Sequence, residues 1–196
     1  MLRRLRVNRT EIALRIIGGV LRGKKLHNIK GQSIRPTADR IRESLFNILA
    51  GTLSGTHVCD LFAGTGALGI EALSRGARTV WFVEKATVAT RLIQRNLKEC
   101  SLLENTRVWQ RDIRRSLHFL NAFPGGFDLF FMDPPYGKQL VSPTLDQLCR
   151  LDAVAQDARI VVEHDVMDAV SWNASRLALE DRRLYGKTHI SFFRFV

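Results

Sequence analysis

The sequence predicts an α/β fold: an open, mostly parallel sheet covered by helices on both faces. Three observations carry that prediction. Short apolar runs alternate with amphipathic stretches of helical length, a glycine-rich turn leads from one such run into a helix, and the chain closes on two apolar runs joined by a tight turn. Helix-length crossovers join parallel strands whose two faces are both covered, whereas a tight turn can join only antiparallel neighbours.

Taken in order, residues 1–14 read as a loose or partly helical extension. The stretch 15–30, RIIGGVLRGKKLHNIK, has the glycine punctuation of a hairpin. Residues 31–36 connect, with Arg35 held towards extended geometry by the proline that follows. A helix is predicted from an N-cap at Thr37, with Asp39 in its first turn, an apolar stripe of Ile41, Leu45, Ile48 and Leu49, and a stop at Gly51. Strands are predicted at His57–Phe62, Thr79–Glu84, Arg107–Gln110, Asp128–Met132 and Arg159–Glu163. Between them lie a helix from Ala67 to Arg75, a helix marked by Val88, Leu92, Ile93 and Leu97, a short helix through Ile113, Leu117 and Leu120, and one after Pro143 through Leu145, Leu148 and Leu151. The last stretch, Arg182–Val196, reads as strand, turn at Gly186–Lys187, and strand. Two units are expected, a basic extension and hairpin over 1–36 and an α/β body over 37–196.

Composition narrows the function. The chain has 196 residues, 45% hydrophobic and 25% charged, with a net charge of +11. That is enough to close one core, and no apolar run reaches the ~18 residues of a membrane helix. The basic N-terminus lacks the apolar core of a secretion signal, and Cys59, Cys100 and Cys149 show no disulfide or metal-ligand spacing, so a cytoplasmic monomer without a metal is expected. Residues 1–42 hold twelve basic residues against two acids, while 43–196 hold 18 against 17. A neutral body with a cationic arm fits a polyanion, and without aromatic residues the arm suits phosphate contact rather than base reading. Arg22, Lys24 and Lys25 are the expected contacts.

The chemistry is expected beyond the C-terminal strand ends, where strand order reverses. Asp60-Leu61-Phe62-Ala63-Gly64-Thr65-Gly66-Ala67-Leu68-Gly69 leaves the first strand and enters a helix, and Gly64, Gly66 and Gly69 make the G-x-G-x-x-G pattern. Glu84 ends the second strand, fifteen residues after Gly69, where ribose hydroxyls can donate to it. The glycine pattern alone also serves NAD. Asp60 separates the two: a carboxylate at that strand end repels a pyrophosphate but attracts the ammonium and sulfonium of S-adenosylmethionine, whose own carboxylate can sit at the helix N-terminus. Asp112 is placed to accept from an adenine amino group. Asp60, Phe62, Gly64, Thr65, Gly66, Glu84, Asp112 and Ile113 are therefore the expected donor-binding set.

Asp133-Pro134-Pro135-Tyr136 follows the fourth strand. The prolines stiffen the turn and leave carbonyls free to accept. The exocyclic amine of a base is a poor nucleophile because its lone pair is delocalised. The Asp133 carboxylate and the Pro134 carbonyl can hold both amine hydrogens and favour the pyramidal nitrogen needed for attack, while Tyr136 offers a face to an extruded base. Asp133, Pro134 and Tyr136 are the expected catalytic residues.

Together these residues resemble class I S-adenosylmethionine-dependent amino-methyltransferases, and more closely the RsmD family of bacterial 16S ribosomal RNA guanine-N2 methyltransferases. The most particular likeness is at the start: Arg15-Ile16-Ile17-Gly18-Gly19, Arg22-Gly23, Leu26, then Arg35-Pro36-Thr37 running into Asp39-Arg40-Ile41-Arg42-Glu43-Ser44-Leu45-Phe46-Asn47. The resemblance implies a Rossmann-like sheet of seven strands with an antiparallel last strand, and an N-terminal β-hairpin facing RNA. It also implies methylation of a guanine amino group in small-subunit rRNA, on protein-bound RNA, with Arg35 and Thr37 close to the active site. DNA adenine-N6 methylation, a non-catalytic RNA-binding assembly factor and an NAD oxidoreductase are the competing readings.

Overall fold

A computed structural model describes residues 14–29 and 36–196. Its elements are α1 (Pro36–Ile48), β1 (His57–Leu61), α2 (Ala67–Ser74), β2 (Thr79–Glu84), α3 (Thr87–Glu99), β3 (Thr106–Gln110), β4 (Phe127–Met132), α4 (Val141–Leu148), β5 (Val154–Asp165), β6 (Leu177–Tyr185) and β7 (Thr188–Phe195). They build one seven-stranded sheet in the order β3-β2-β1-β4-β5-β7-β6. Strands β1 to β5 run parallel. Strand β7 returns antiparallel between β5 and β6, which the tight turn after Tyr185 requires. The predicted sheet, antiparallel last strand included, is the observed one.

Alternate residues of the central strands serve two cores. Val58, Val80, Phe82, Phe131 and Val161 pack under α1, α2, α3 and the N-terminal segment. Cys59, Leu61, Val83, Phe130 and Val162 pack on the other face with α4 and the C-terminal aromatic residues. Burial on both faces explains why these strands read as unbroken apolar runs. Helix α2 lies close on β2 at Gly69, where a Cβ would stand 2.3 Å from the Phe82 ring. The third glycine of the loop thus lets α2 lie on β2.

Several boundaries differ from expectation, each for a local reason. Helix α1 begins at Pro36, so Thr37 lies inside the first turn rather than capping it; proline suits that position, where no backbone donor is needed. Helix α4 likewise starts at Val141 and carries Pro143 in its first turn. Leu117 and Leu120 are buried, but the local helix is a 3-10 turn over His118–Ala122, not an α-helix. Strand β5 starts at Val154, with a register break against β4 and Asp157 at φ 58, a bulge that its polar Gln156–Asp157 pair disguised. Strand β6 starts at Leu177 and carries its own register shift between Leu179 and Asp181.

The expected hairpin is a compact turn closed by one antiparallel bridge, Arg15 to Lys25, rather than two regular strands. Its order comes from docking. Glu71, 1% exposed on α2, accepts the Ile17 and Gly18 N–H groups and the Arg75 Nε, all at 2.7 Å. Ser74 Oγ donates to the Gly18 carbonyl (2.6 Å) and accepts from the Leu21 N–H (2.9 Å). Gly19 has φ 75, and a Cβ there would meet the Ser74 carbonyl oxygen at 1.8 Å. The two glycines of the N-terminal motif are thereby accounted for: they let the backbone lie against the end of α2. The expected extension before Leu14 and the Arg35 position lie outside the described residues.

Candidate active site

A cavity of about 740 Å³ opens at the C-terminal ends of the parallel strands. It lies where the order reverses between β1 and β4, as open α/β sheets require. Every expected donor-binding residue except Gly66 lines it: Asp60, Phe62, Gly64, Thr65, Glu84, Asp112 and Ile113. So do the turn residues Asp133, Pro134 and Tyr136, and residues the sequence reading did not single out, among them Leu14, Arg42, Arg111 and Glu163.

The glycine loop is held from behind by carboxylates. Glu84 accepts the Gly64 N–H at 3.0 Å and the Ala86 N–H at 2.8 Å, one on each oxygen, which leaves each oxygen able to accept again. Asp60 accepts the Gly69 N–H at 2.9 Å. Gly64 and Gly66 take left-handed backbone, and so does Phe62 at φ 60, an uncommon conformation for an aromatic residue. Buried Asn96 donates to the Thr65 carbonyl at 3.0 Å and to the His27 carbonyl at 3.1 Å, and accepts the His27 N–H at 2.8 Å. One side chain therefore joins the loop to the N-terminal segment.

Five acids line the cavity, and three of them are raised. Burial pushes the Asp60 carboxyl up to about 7; the Gly69 N–H opposes this and the Glu84 charge adds to it. Asp133 is raised well above the usual carboxylate range, first by desolvation, then by the Glu163 and Asp60 charges. Asp133 is exposed in the open cavity, so this desolvation is felt in full only when a ligand covers it. Among the described residues Asp133 has no hydrogen-bond partner. Burial also raises Glu163, opposed by the Tyr136 hydroxyl, which donates to Glu163 Oε1 at 2.7 Å and lies 3.0 Å from Thr188 Oγ1. Tyr136 is 41% exposed, so its ring face is open while its hydroxyl is tied down.

At the far end, Asp112 is ion-paired to Arg114 at 2.5 Å, which holds its carboxyl down to about 2. The arm residues lie elsewhere. Arg22 and Lys25 are exposed and Lys24 half-buried, none of them on the main cavity. Arg22 lines a smaller cleft of about 300 Å³ with Arg15, Arg40, Asp39 and Glu43. Thr37 sits in the first turn of α1. Buried Arg42 donates to the Arg15 carbonyl at 2.7 Å and to Asp39 at 3.2 Å, roofing the site. Among the described residues no three His, Cys, Asp or Glu form a group that could hold a metal, and no helix is long and apolar enough to cross a membrane.

A family model described as Conserved hypothetical protein 95 matches residues 14–194. The chain belongs to this family, the RsmD family. Among its relatives, YlbH of Bacillus subtilis is 34% identical over 181 residues, covering 92% of this chain and 98% of that one. The protein named Ribosomal RNA small subunit methyltransferase D in Escherichia coli K12 is 33% identical over 174 residues, 89% of this chain and 86% of its own length. The solved structure of yhhF from Escherichia coli superposes with a TM-score of 0.81 at 33% identity, covering 93% of this chain and 98% of that one. Within the matched residues, the N-terminal glycine motif docks on α2, and the Asp133–Tyr136 turn lines the cavity to which Ala67 and Leu68 of α2 contribute.

Proposed function

We propose that this protein transfers a methyl group from S-adenosylmethionine to the exocyclic N2 amine of a guanine in 16S ribosomal RNA, on assembled or partly assembled small subunits, acting as a cytoplasmic monomer. The observation that carries the reading is the meeting, in one cavity, of a carboxylate-backed glycine loop and the Asp133-Pro134-Pro135-Tyr136 turn. The relatives named as small-subunit rRNA methyltransferases supply the substrate class.

The donor set fits a cationic cosubstrate. Asp60, when ionised, would repel a pyrophosphate from this cavity and attract a sulfonium and an ammonium. Glu84 retains acceptor capacity for ribose hydroxyls, and Gly64, Thr65 and Gly66 carry the backbone along the ligand. Phe62 and Ile113 supply apolar walls, and Asp112 accepts from the adenine amine once Arg114 shares it. When bound, the donor supplies an electrophilic methyl group. Asp133 and the Pro134 carbonyl accept the two amine hydrogens of the target base, which draws the nitrogen lone pair out of conjugation and orients it. As the new bond forms, the surplus proton passes to the Asp133 carboxylate, whose raised affinity for a proton suits it to receive one. Tyr136 stacks on the extruded base, and Arg22, Lys24, Lys25, Arg35 and Thr37 hold the RNA alongside.

The test is methyl labelling of naked 16S rRNA, of small subunits from cells lacking this protein, and of DNA, followed by mass mapping of the modified nucleotide. A single N2-methylguanine in the subunit RNA is expected. Label in DNA alone, or on a base other than guanine, would overturn the reading.

A further inference from the structure

Resting on the guanine reading above, we infer that Glu163 selects the target base by accepting the N1–H of guanine on its free carboxylate oxygen, and that it rejects adenine at the same position. Met132 of β4 pairs with Val162 of β5, so Asp133 and Glu163 are the next residues along two adjacent parallel strands, and both line the cavity. Tyr136 donates to Glu163 Oε1, and Thr188 steadies that hydroxyl from β7. The carboxylate is thereby fixed in orientation, while Oε2 has no hydrogen-bond partner among the described residues.

Two neighbouring carboxylates that a ligand covers require a row of donors. The guanine edge supplies one: N1–H and the two hydrogens of the N2 amine lie side by side in the ring plane. With the amine held by Asp133 and the Pro134 carbonyl, the adjacent N1–H falls to Glu163. Adenine turns the same chemistry against itself. Its amine can enter the clamp, but the neighbouring N1 is a lone pair and would face an anionic oxygen. A site built around a substrate N–H discriminates strongly against an analogue that lacks it, because a sheltered acceptor is left unpaired. The Tyr136 hydroxyl favours the ionised carboxylate that this role needs, against the desolvation that opposes it.

The experiment uses small subunits reconstituted with rRNA carrying guanine or 2-aminopurine at the mapped position. 2-Aminopurine keeps the N2 amine but presents an N1 lone pair. The wild-type enzyme is expected to prefer guanine by on the order of 10²-fold in kcat/KM. In Glu163→Gln the amide can donate to that lone pair, so the preference should fall at least ~10-fold, while donor binding measured by calorimetry is retained. Tyr136→Phe and Thr188→Val keep the carboxylate but loosen it, and should lower the preference by a factor of roughly 2–5; they carry the test if Glu163→Gln does not bind donor. An unchanged preference in these variants, or equal wild-type rates on both bases, would overturn the role of Glu163 alone. Label on a base other than guanine in subunits with unmodified rRNA would instead overturn the functional reading.

Discussion

The N-terminal segment and the turn after β4 treat polar groups in opposite ways. Where residues 16–28 dock, the buried polar side chains beneath them are satisfied: Glu71 receives three N–H groups, and Asn96 spends its oxygen on one partner and its nitrogen on two. At the turn, Asp133 has no partner among the described residues and Glu163 keeps one oxygen free, though both are raised by desolvation. A satisfied carboxylate holds structure; an unsatisfied one lining a cavity is positioned for a ligand that brings donors.

Exchanging each kind of acid should break the contrast in a different observable. Asp133→Ala should lower kcat by on the order of 10³-fold or more with donor affinity nearly intact, read by single-turnover methyl transfer and calorimetry. A large loss of donor affinity would move Asp133 from the reaction to the donor site. Glu71→Ala should leave two backbone N–H groups and the Arg75 guanidinium without their acceptor and destabilise the fold by about 3 kcal/mol, seen as a lower denaturant midpoint. Gly19→Ala, strained by its positive φ and its contact with the Ser74 carbonyl, should destabilise by about 1–3 kcal/mol in the same assay.

Asp60 gives a pH signature between these extremes. Its carboxyl lies near 7 when buried alone, so below pH 7 it is protonated and offers a cation no charge. Donor affinity should rise as pH climbs from about 6 to 8, and binding near pH 6.5 should release a proton, visible as a dependence of binding heat on buffer ionisation enthalpy. The sign for stability is opposite: the folded protein holds this proton between the ordinary carboxylate value and 7, so the Asp60 contribution weakens as pH rises through that window. The smallest effect belongs to the arm. Changing Arg22, Lys24 and Lys25 together to Gln should lessen the slope of log affinity for rRNA against log salt by about 2. An unchanged slope would remove the arm from RNA contact.

The parts of the site that were legible in the sequence are those where backbone chemistry narrows the choice. Gly64 and Gly66 announced a tight turn into a helix, Pro134 and Pro135 a rigid one, and both turns lie at the cavity. Glu71 and Glu163 were not legible for the opposite reason. Each is a single acid in an apolar element, ALGIEALS and RIVVEH, and its meaning arises from residues far along the chain: Ile17 and Gly18 for one, the Asp133 turn for the other. The 3-10 turn at His118–Ala122 was misread because spacings of three and four suit both helix types over so short a run. The bulges in β5 and β6 leave no pattern of their own, since they depend on the partner strand.

Asn96 fastens the N-terminal segment and the glycine loop together through a single amide. The backbone at His27 and the carbonyl of Thr65 are fastened to the same side chain, whose three bonds stand or fall on one rotamer. A displacement of the N-terminal segment at His27 would reach the glycine loop at Thr65 through this side chain, without crossing the sheet. On the function proposed above, the hold on RNA and the shape of the donor pocket would be coupled at this one residue of α3.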